Sequence, residues 1–290
     1  MSVEITTAMV EQYKSNVVLL AQQKGSRLRN FVRVEPITGE NAFFESIGAT
    51  AAQKKTTRHM DTPQIDTPHS RRKVSMDDYV WSDFIDNEDK LRTLIDPASA
   101  YTLNAVAAFG RSMDDVLIAA ASGTAYTGKT GGTAVSLPAG QKIANGDTGL
   151  TIAKLVSAKG LFWSNDIDED IMLHIAVSSK QLQDLLNDST VTSADYNSVK
   201  ALVKGELDTF MGFKFHRTQR LSIDADDIRT CIAWAQDGVC LGLGADINTK
   251  VTERADKNYL TQVWCGMSIG AVRMEEKKVV EIGCDETPDA

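Results

Sequence analysis

The sequence has no apolar run long enough to cross a bilayer; its longest, Val17 to Ala21 and Val116 to Ala121, fall far short of about 20 residues. No basic head followed by an apolar stretch opens the chain, so no secretion signal is read there. Nor is there an excess of positive charge. The net charge of −8 argues against a dedicated nucleic-acid binder, which would be basic overall. Cysteine is scarce: Cys231, Cys240, Cys265 and Cys284 are too widely and unevenly spaced for a zinc cluster, and read as reduced core thiols. Histidine is equally scarce. His59 and His69 have no carboxylate or thiol at ligand spacing, while His174 and His216 fall in apolar strand-like runs. No serine stands in a GxSxG setting and no cysteine has a local base signature, so no catalytic constellation, cofactor site or metal site is expected.

What is present is a globular composition, 42% hydrophobic and 24% charged, over 290 residues. The organising stretch runs from Asp96 to Ser122. Asp96 suits an N-cap and Pro97 the first helical position. Val106, Phe109, Met113, Val116, Leu117 and Ala120 recur at spacings of three and four, which predicts an apolar stripe on one long helix stopped by Gly123. Arg111, Asp114 and Asp115 mark a second edge, where Gly110 would allow close packing.

Upstream, Ile5, Met9, Tyr13, Val17 and Leu20 fall at helical spacing, followed by a basic cluster of Lys24, Arg27, Arg29 and Arg33. From Glu35 to Lys73 periodicity dissolves, and a stretch of that length reads as a projecting loop or an extended hairpin. Its basic residues Lys54, Lys55, Arg58, Arg71, Arg72 and Lys73 precede an acidic block with Asp77, Asp78, Asp83 and Asp86. Opposite blocks of this kind can pair within a chain or across subunits. A projecting loop cannot bury itself, so those ten residues are expected to make intersubunit contacts. Val74 to Ile85 is expected to be one strand feeding the helix, and Gly123 to Gly149 a glycine-rich loop or small hairpin.

Downstream, helices are expected over Thr151 to Trp163, after Ser178 or Ser179, and over Ala194 to Val203. Strands are expected at Met172 to Val177, Phe210 to His216, Cys231 to Ala235, Gln262 to Met274 and Val279 to Ile282. The segregated mixture reads as α+β.

Two motifs need weighing. Gly123, Gly128, Lys129 and Thr130 satisfy GxxxxGK[ST], whose phosphate-cradling chemistry needs a strand before the loop and a helix after it. Gly131, Gly132 and Pro138 oppose that helix, so nucleotide hydrolysis stays as the alternative function. The acidic group Asp166, Asp168, Glu169 and Asp170 lacks the glycine and distal glutamate of a calcium loop, and reads as a solvated connector.

The order of parts, an arm, a long loop, a long helix, a glycine-rich insertion and an α+β block, resembles the major capsid proteins of tailed bacteriophages. AVSSKQLQDLLND (Ala176 to Asp188) is similar to a strand-then-helix segment of that family. In SADYNSVKALVKGELDTFMGFKFHRTQRL, the residues Asp195, Tyr196, Ala201, Leu202, Gly205, Gly212, Phe213, Thr218 and Leu221 stand where such proteins carry similar ones. LPAGQKIANGDTGLT (Leu137 to Thr151) and CIAWAQDGVCLGLG (Cys231 to Gly244) add to the likeness.

The resemblance implies the shell-forming fold shared with herpesvirus capsid floors and encapsulins. Laid on this chain it gives an N-terminal arm at 1–34, an extended loop at 35–73, and a peripheral domain at 74–150 with spine helix 96–122. An axial domain at 151–250 and closing strands of the peripheral domain at 251–290 complete it. It also implies a non-enzymatic structural protein, self-assembling into pentamers and hexamers of an icosahedral phage head around double-stranded DNA. The expected partners are further copies of the chain, a separate scaffolding protein (since the chain starts directly at the arm), a portal protein, a decoration protein where one exists, and non-specifically packaged DNA, with no membrane. The place of action would be the virion capsid, assembled in the host cytoplasm. An encapsulin-like compartment is the other shell reading.

Overall fold

The computed structural model describes residues 22–86, 97–187 and 209–287, and the helices read at Ile5 to Leu20 and Ala194 to Val203 lie outside them. Its longest element, α1 (Pro97–Ser122), has 26 residues and is therefore about 39 Å long. The stripe narrows relative to the sequence reading. Ala105, Phe109, Met113, Leu117 and Ala121 are buried, whereas Val106, Val116 and Ala120 are half-buried on its flanks. Each large buried side chain contributes roughly 1.5–3 kcal/mol relative to exposure.

That stripe packs on a four-stranded sheet ordered β1 (Arg33–Pro36), β12 (Val239–Arg254), β13 (Leu260–Arg273), β4 (Asp77–Ile85). Val263, Cys265, Met267 and Ile269 of β13 alternate into the core beneath the helix. The 16-residue β12 has no counterpart in the sequence reading. Its glycines resemble turn signals, yet a Cβ on Gly242 would meet the Ile37 side chain at 2.0 Å and one on Gly244 the Met76 side chain at 2.5 Å. They are sites of close packing in a strand that also bulges between Leu243 and Asn248.

A six-stranded sheet lies beside it, ordered β7 (Lys142–Ile143), β14 (Val279–Asp285), β11 (Ile228–Ala235), β8 (Leu173–Val177), β10 (Phe213–Arg217), β9 (Thr209–Phe210). One face carries His174, Ala176, His216, Ile232 and Trp234; Ala176, Ile232 and Trp234 line a small apolar space shared with Leu117 and Ile118 of α1. The opposite face, with Ile175, Phe213 and Ala233, is covered by α2 (Ile152–Ser164) and α3 (Ser179–Asn187). Thr151 caps α2 by accepting from the Lys154 N–H. Phe210 to His216 is not one strand: Met211 (φ 52°) and Gly212 (φ 81°) form a tight turn between β9 and β10. Of the expected closing strands, Leu260–Arg273 lies against α1, and Val279–Asp285 sits inside the six-stranded sheet.

The third sheet is ordered β2 (Asn41–Ile47), β3 (His69–Ser75), β5 (Ala125–Thr127), β6 (Thr133–Val135). The patternless stretch at 35–73 is thus a hairpin of β2 and β3, with residues 48–68 forming its tip. The expected strand Val74 to Ile85 is divided at Met76, so that β3 belongs to the hairpin sheet and β4 to the helix-bearing sheet. A small core of Ile37, Val74, Ala125, Cys240, Val272 and Met274 joins the two sheets.

Candidate functional site

The candidate site is a set of surfaces and their anchors, because the described residues contain no group of three or more ligating side chains that could hold a metal ion. No helix among them is long and apolar enough to cross a membrane.

The first anchor holds the base of the arm. Asp114 lies fully buried on α1, and its carboxylate accepts from Ser26 Oγ at 2.6 Å and from the backbone N–H of Arg27 at 3.1 Å and Leu28 at 3.2 Å. Gln23 Nε2 donates to the same group. Arg111 donates to Gln22 Oε1 at 2.8 Å and to the Gln23 carbonyl at 3.1 Å. Gly110 makes the contact possible, since a Cβ there would meet Gly25 at 2.5 Å and Ser26 N at 2.6 Å. The edge marked by Gly110, Arg111 and Asp114 is therefore where the chain crosses α1. Beyond it, Phe31 stacks on His216 with centroids 4.1 Å apart, and the Phe31 carbonyl accepts from Trp234 Nε1 at 3.0 Å.

The second anchor holds the base of the hairpin. Arg273, fully buried, donates to the carbonyls of Ala121 (2.9 Å) and Gly123 (2.6 Å) at the end of α1, and to Val135 (3.0 Å) of β6. A cation at the C-terminal end of a helix also complements its dipole. Burial lowers the Arg273 pKa, with Glu276 opposing that shift. Arg72 of β3 completes the cluster by donating to Glu276 and to the Met274 carbonyl.

Projecting from this base is the hairpin, whose outward face alternates Phe43, Glu45 and Ile47 with His69, Arg71 and Lys73 across the pair. Ile47 is 69% exposed and Tyr126, alongside Lys73 on β5, is 47% exposed, which is a large apolar exposure for a single hairpin. A groove of about 590 Å³ along it is lined by Glu45, His69, Ser70, Arg71, Thr127, Gly128 and Lys129.

The ten residues expected at subunit contacts divide into four groups. Lys54, Lys55 and Arg58 are exposed on the hairpin tip. Arg71 stays on the outward face, paired with Glu45 at 2.8 Å, and Lys73 packs its stem against Gly131. Arg72 points inward and is only 9% exposed, so its charge is used within the chain; strand alternation, which sends every second side chain to the core, separates it from its neighbours. Asp77, Asp78 and Asp83 lie along β4, an edge strand, and Asp86 follows its end. Charges on such an edge discourage uncontrolled strand pairing.

The phosphate-loop alternative is corrected by the geometry. Ala125–Thr127 and Thr133–Val135 pair antiparallel, and Gly128 (φ 93°) and Gly131 (φ 70°) shape the turn between them. Lys129 sits at that turn, and the chain continues into a strand where phosphate binding would need a helix N-terminus. The acidic group at 166–170 is an exposed connector between α2 and β8, as expected.

Two buried features were not legible in the sequence. Lys154 Nζ donates to the carbonyls of Asn145, Thr148, Gly149 and Gly283 at 2.6–3.0 Å, and its pKa is lowered by burial. His174 Nδ1 and His216 Nε2 lie 3.1 Å apart, and desolvation lowers their pKa values to about 4 and about 3. Alternating apolar positions marked the strands, but not which polar side chains meet between them. All four cysteines are buried and free.

A family model described as phage capsid protein matches residues 5–286. No curated protein sequence matches the chain. Among solved structures, the capsid of Ralstonia phage GP4 is similar with a TM-score of 0.74 at 12% identity, covering 97% of each chain. The capsid of cyanophage P-SCSP1u is similar with a TM-score of 0.70 at 18% identity, covering 95% of this chain and 93% of that one. A Mycobacterium phage Che8 structure follows at 0.68 and 13% identity, over 94% of this chain and 96% of its counterpart.

Proposed function

The chain belongs to the phage capsid protein family, and we propose from that premise how its copies hold one another. It is a major capsid protein, a structural component of a phage head shell and not an enzyme. Copies gather as pentamers and hexamers, with the six-stranded-sheet region toward the centre of each ring and the α1 region at its periphery. In this reading, 1–34 is the arm, 35–73 the extended loop, 74–150 the peripheral unit with the spine helix and 151–250 the axial unit, except that β12 pairs with β13 in the helix-bearing sheet of the peripheral unit, and β14, expected among its closing strands, belongs to the six-stranded sheet of the axial one.

The observation that carries the reading is the hairpin. It is held at its base by Arg72, yet exposes Ile47, Lys54, Lys55 and Arg58, with Tyr126 of the neighbouring β5 exposed beside it. A second copy supplies a fitting acidic surface in Asp77, Asp78, Asp83 and Asp86 on the β4 edge. Contacts of this kind add buried area and charge pairing at each of many interfaces, so weak individual contacts suffice for a closed shell. Double-stranded DNA held without sequence preference, a separate scaffolding protein, a portal protein, a decoration protein and assembly in the host cytoplasm belong to the same proposal, on the strength of the family resemblance.

Negative-stain electron microscopy of the purified chain, produced alone and together with a scaffolding partner, tests it. Closed shells or five- and six-membered rings are expected; monomers or dimers under both conditions would overturn it.

A further inference from the structure

Among the described residues, the helix of the six-stranded-sheet region with the more extensive outward face is α2, and it carries almost no solvating charge on any side. Its inner face buries Leu155, Ala158 and Phe162. Its outer face presents Ala153, Val156, Ser157, Gly160, Trp163 and Ser164, with Val156 50% and Trp163 58% exposed. The helix has two charged residues, and both are engaged. Lys154 is turned inward onto four carbonyls. Lys159 donates to the Met211 carbonyl at 3.0 Å and lies 5.3 Å from the Trp163 ring centroid. An ordinary surface helix turns charged residues outward, whereas α2 turns none, and among the described residues only one side of it is buried.

Gly160 supplies an independent observation. It stands in the middle of α2, where glycine costs about 1 kcal/mol relative to alanine, and a Cβ there would meet nothing within 4 Å. Nothing among the described residues requires that glycine. Every other close-packing glycine considered above, Gly110, Gly242 and Gly244, has a neighbour inside 3 Å. An open glycine one turn from an exposed tryptophan lets another backbone approach closely while the indole anchors it.

We infer that the outer face of α2 is an interface, and that its occupant is an uncharged face of a second copy of this chain. This rests on the shell reading. A shell is built of copies, so the surface most available to cover α2 in the particle is the chain's own. A ring of copies requires such a contact to be heterologous: one patch meets a different patch of the next subunit, and the rotation closes. The absence of charge on the face fits a permanent contact, since charged residues are depleted at interface cores and tryptophan is enriched there.

Oxidative footprinting with mass spectrometry, on shells and on subunits dissociated from them, reads the contact at Trp163 directly. Labelling of Trp163 is expected to fall by roughly tenfold or more in the shell, as for a fully desolvated anchor. Equal labelling in the two states, whether high or low, would overturn the inference. Trp163→Glu and Gly160→Leu provide the second arm, each checked by circular dichroism, since both positions face solvent in the subunit. Folded variants that fail to form rings or shells support the interface; folded variants that assemble like the unaltered chain overturn it. Failure of the unaltered chain to assemble under any condition overturns the shell reading itself, which keeps the two outcomes apart.

Discussion

Arg72 Nη2 donates to both oxygens of Glu276, at 2.8 and 2.7 Å, across a span of 204 residues. Through this pair the base of the projecting hairpin is fixed to the turn that joins β13 to β14. Arg273, three residues before Glu276 in the chain, holds the end of α1 in the same cluster. Hairpin, long helix and helix-bearing sheet therefore meet at one buried set of charges.

Removing one partner of that set strands the other. Glu276→Ala leaves Arg72 and Arg273 facing each other without a carboxylate, and breaking a buried ion pair costs about 3–5 kcal/mol. Urea denaturation of the isolated subunit is expected to show a loss of that size. A midpoint unchanged within error would mean that the pair does not fix the hairpin.

The arm base has its own test. Asp114→Ala leaves Ser26 Oγ and the Arg27 and Leu28 N–H groups without their acceptor, at roughly 1–3 kcal/mol for each donor that stays buried. Release of the arm relieves part of that cost, so faster limited proteolysis near residues 22–32 is expected, with α1 intact. Protection equal to that of the unaltered chain would contradict the anchoring role.

The histidine pair sets a pH dependence. Both imidazoles are neutral in the folded chain, with pKa values of about 4 and about 3 against a usual 6.5. Below pH 6.5 the unfolded chain therefore binds protons that the folded one does not. Stability is complete above that pH and declines as pH falls toward 4, by about 3 kcal/mol for a drop from 6.5 to 4 at one site. Denaturation midpoints between pH 7 and 4.5 should follow that slope, and His216→Phe should flatten it. Identical slopes with and without His216 would remove the pair as the cause.

The tip cations divide assembly from folding. Lys54→Glu, Lys55→Glu and Arg58→Glu together should leave subunit stability within about 0.5 kcal/mol, because these side chains are exposed. Shell yield should collapse. Reversal of Arg71, Arg72 and Lys73 together is not an equivalent test: the buried Arg72 would unfold what the other two merely discharge.

Much of this fold was legible because its strongest signals are local. Pro97 and Gly123 bracket α1, α2 stands where a helix is expected over Thr151 to Trp163, and the apolar run from Cys231 to Ala235 marks a buried strand. What escaped depends on partners distant in sequence. Gly242 and Gly244 read as punctuation until Ile37 and Met76 are seen against them, which hides β12 in the sequence. Arg71 and Arg72 are alike in sequence, and only the pairing register with Glu45 and Phe44 sends one outward and one inward. The GxxxxGKT match failed for the same reason, since Gly128 and Gly131 serve a hairpin turn that no motif separates from a phosphate loop.

The most direct test of the account is a cryo-electron microscopy reconstruction of the assembled particle, read at the hairpin tip. A closed icosahedral shell is expected, in which residues 48–68 of each copy lie against a neighbouring copy, with Lys54, Lys55 and Arg58 beside its acidic β4 edge. A shell in which that tip folds back on its own subunit, or meets only solvent, would contradict it.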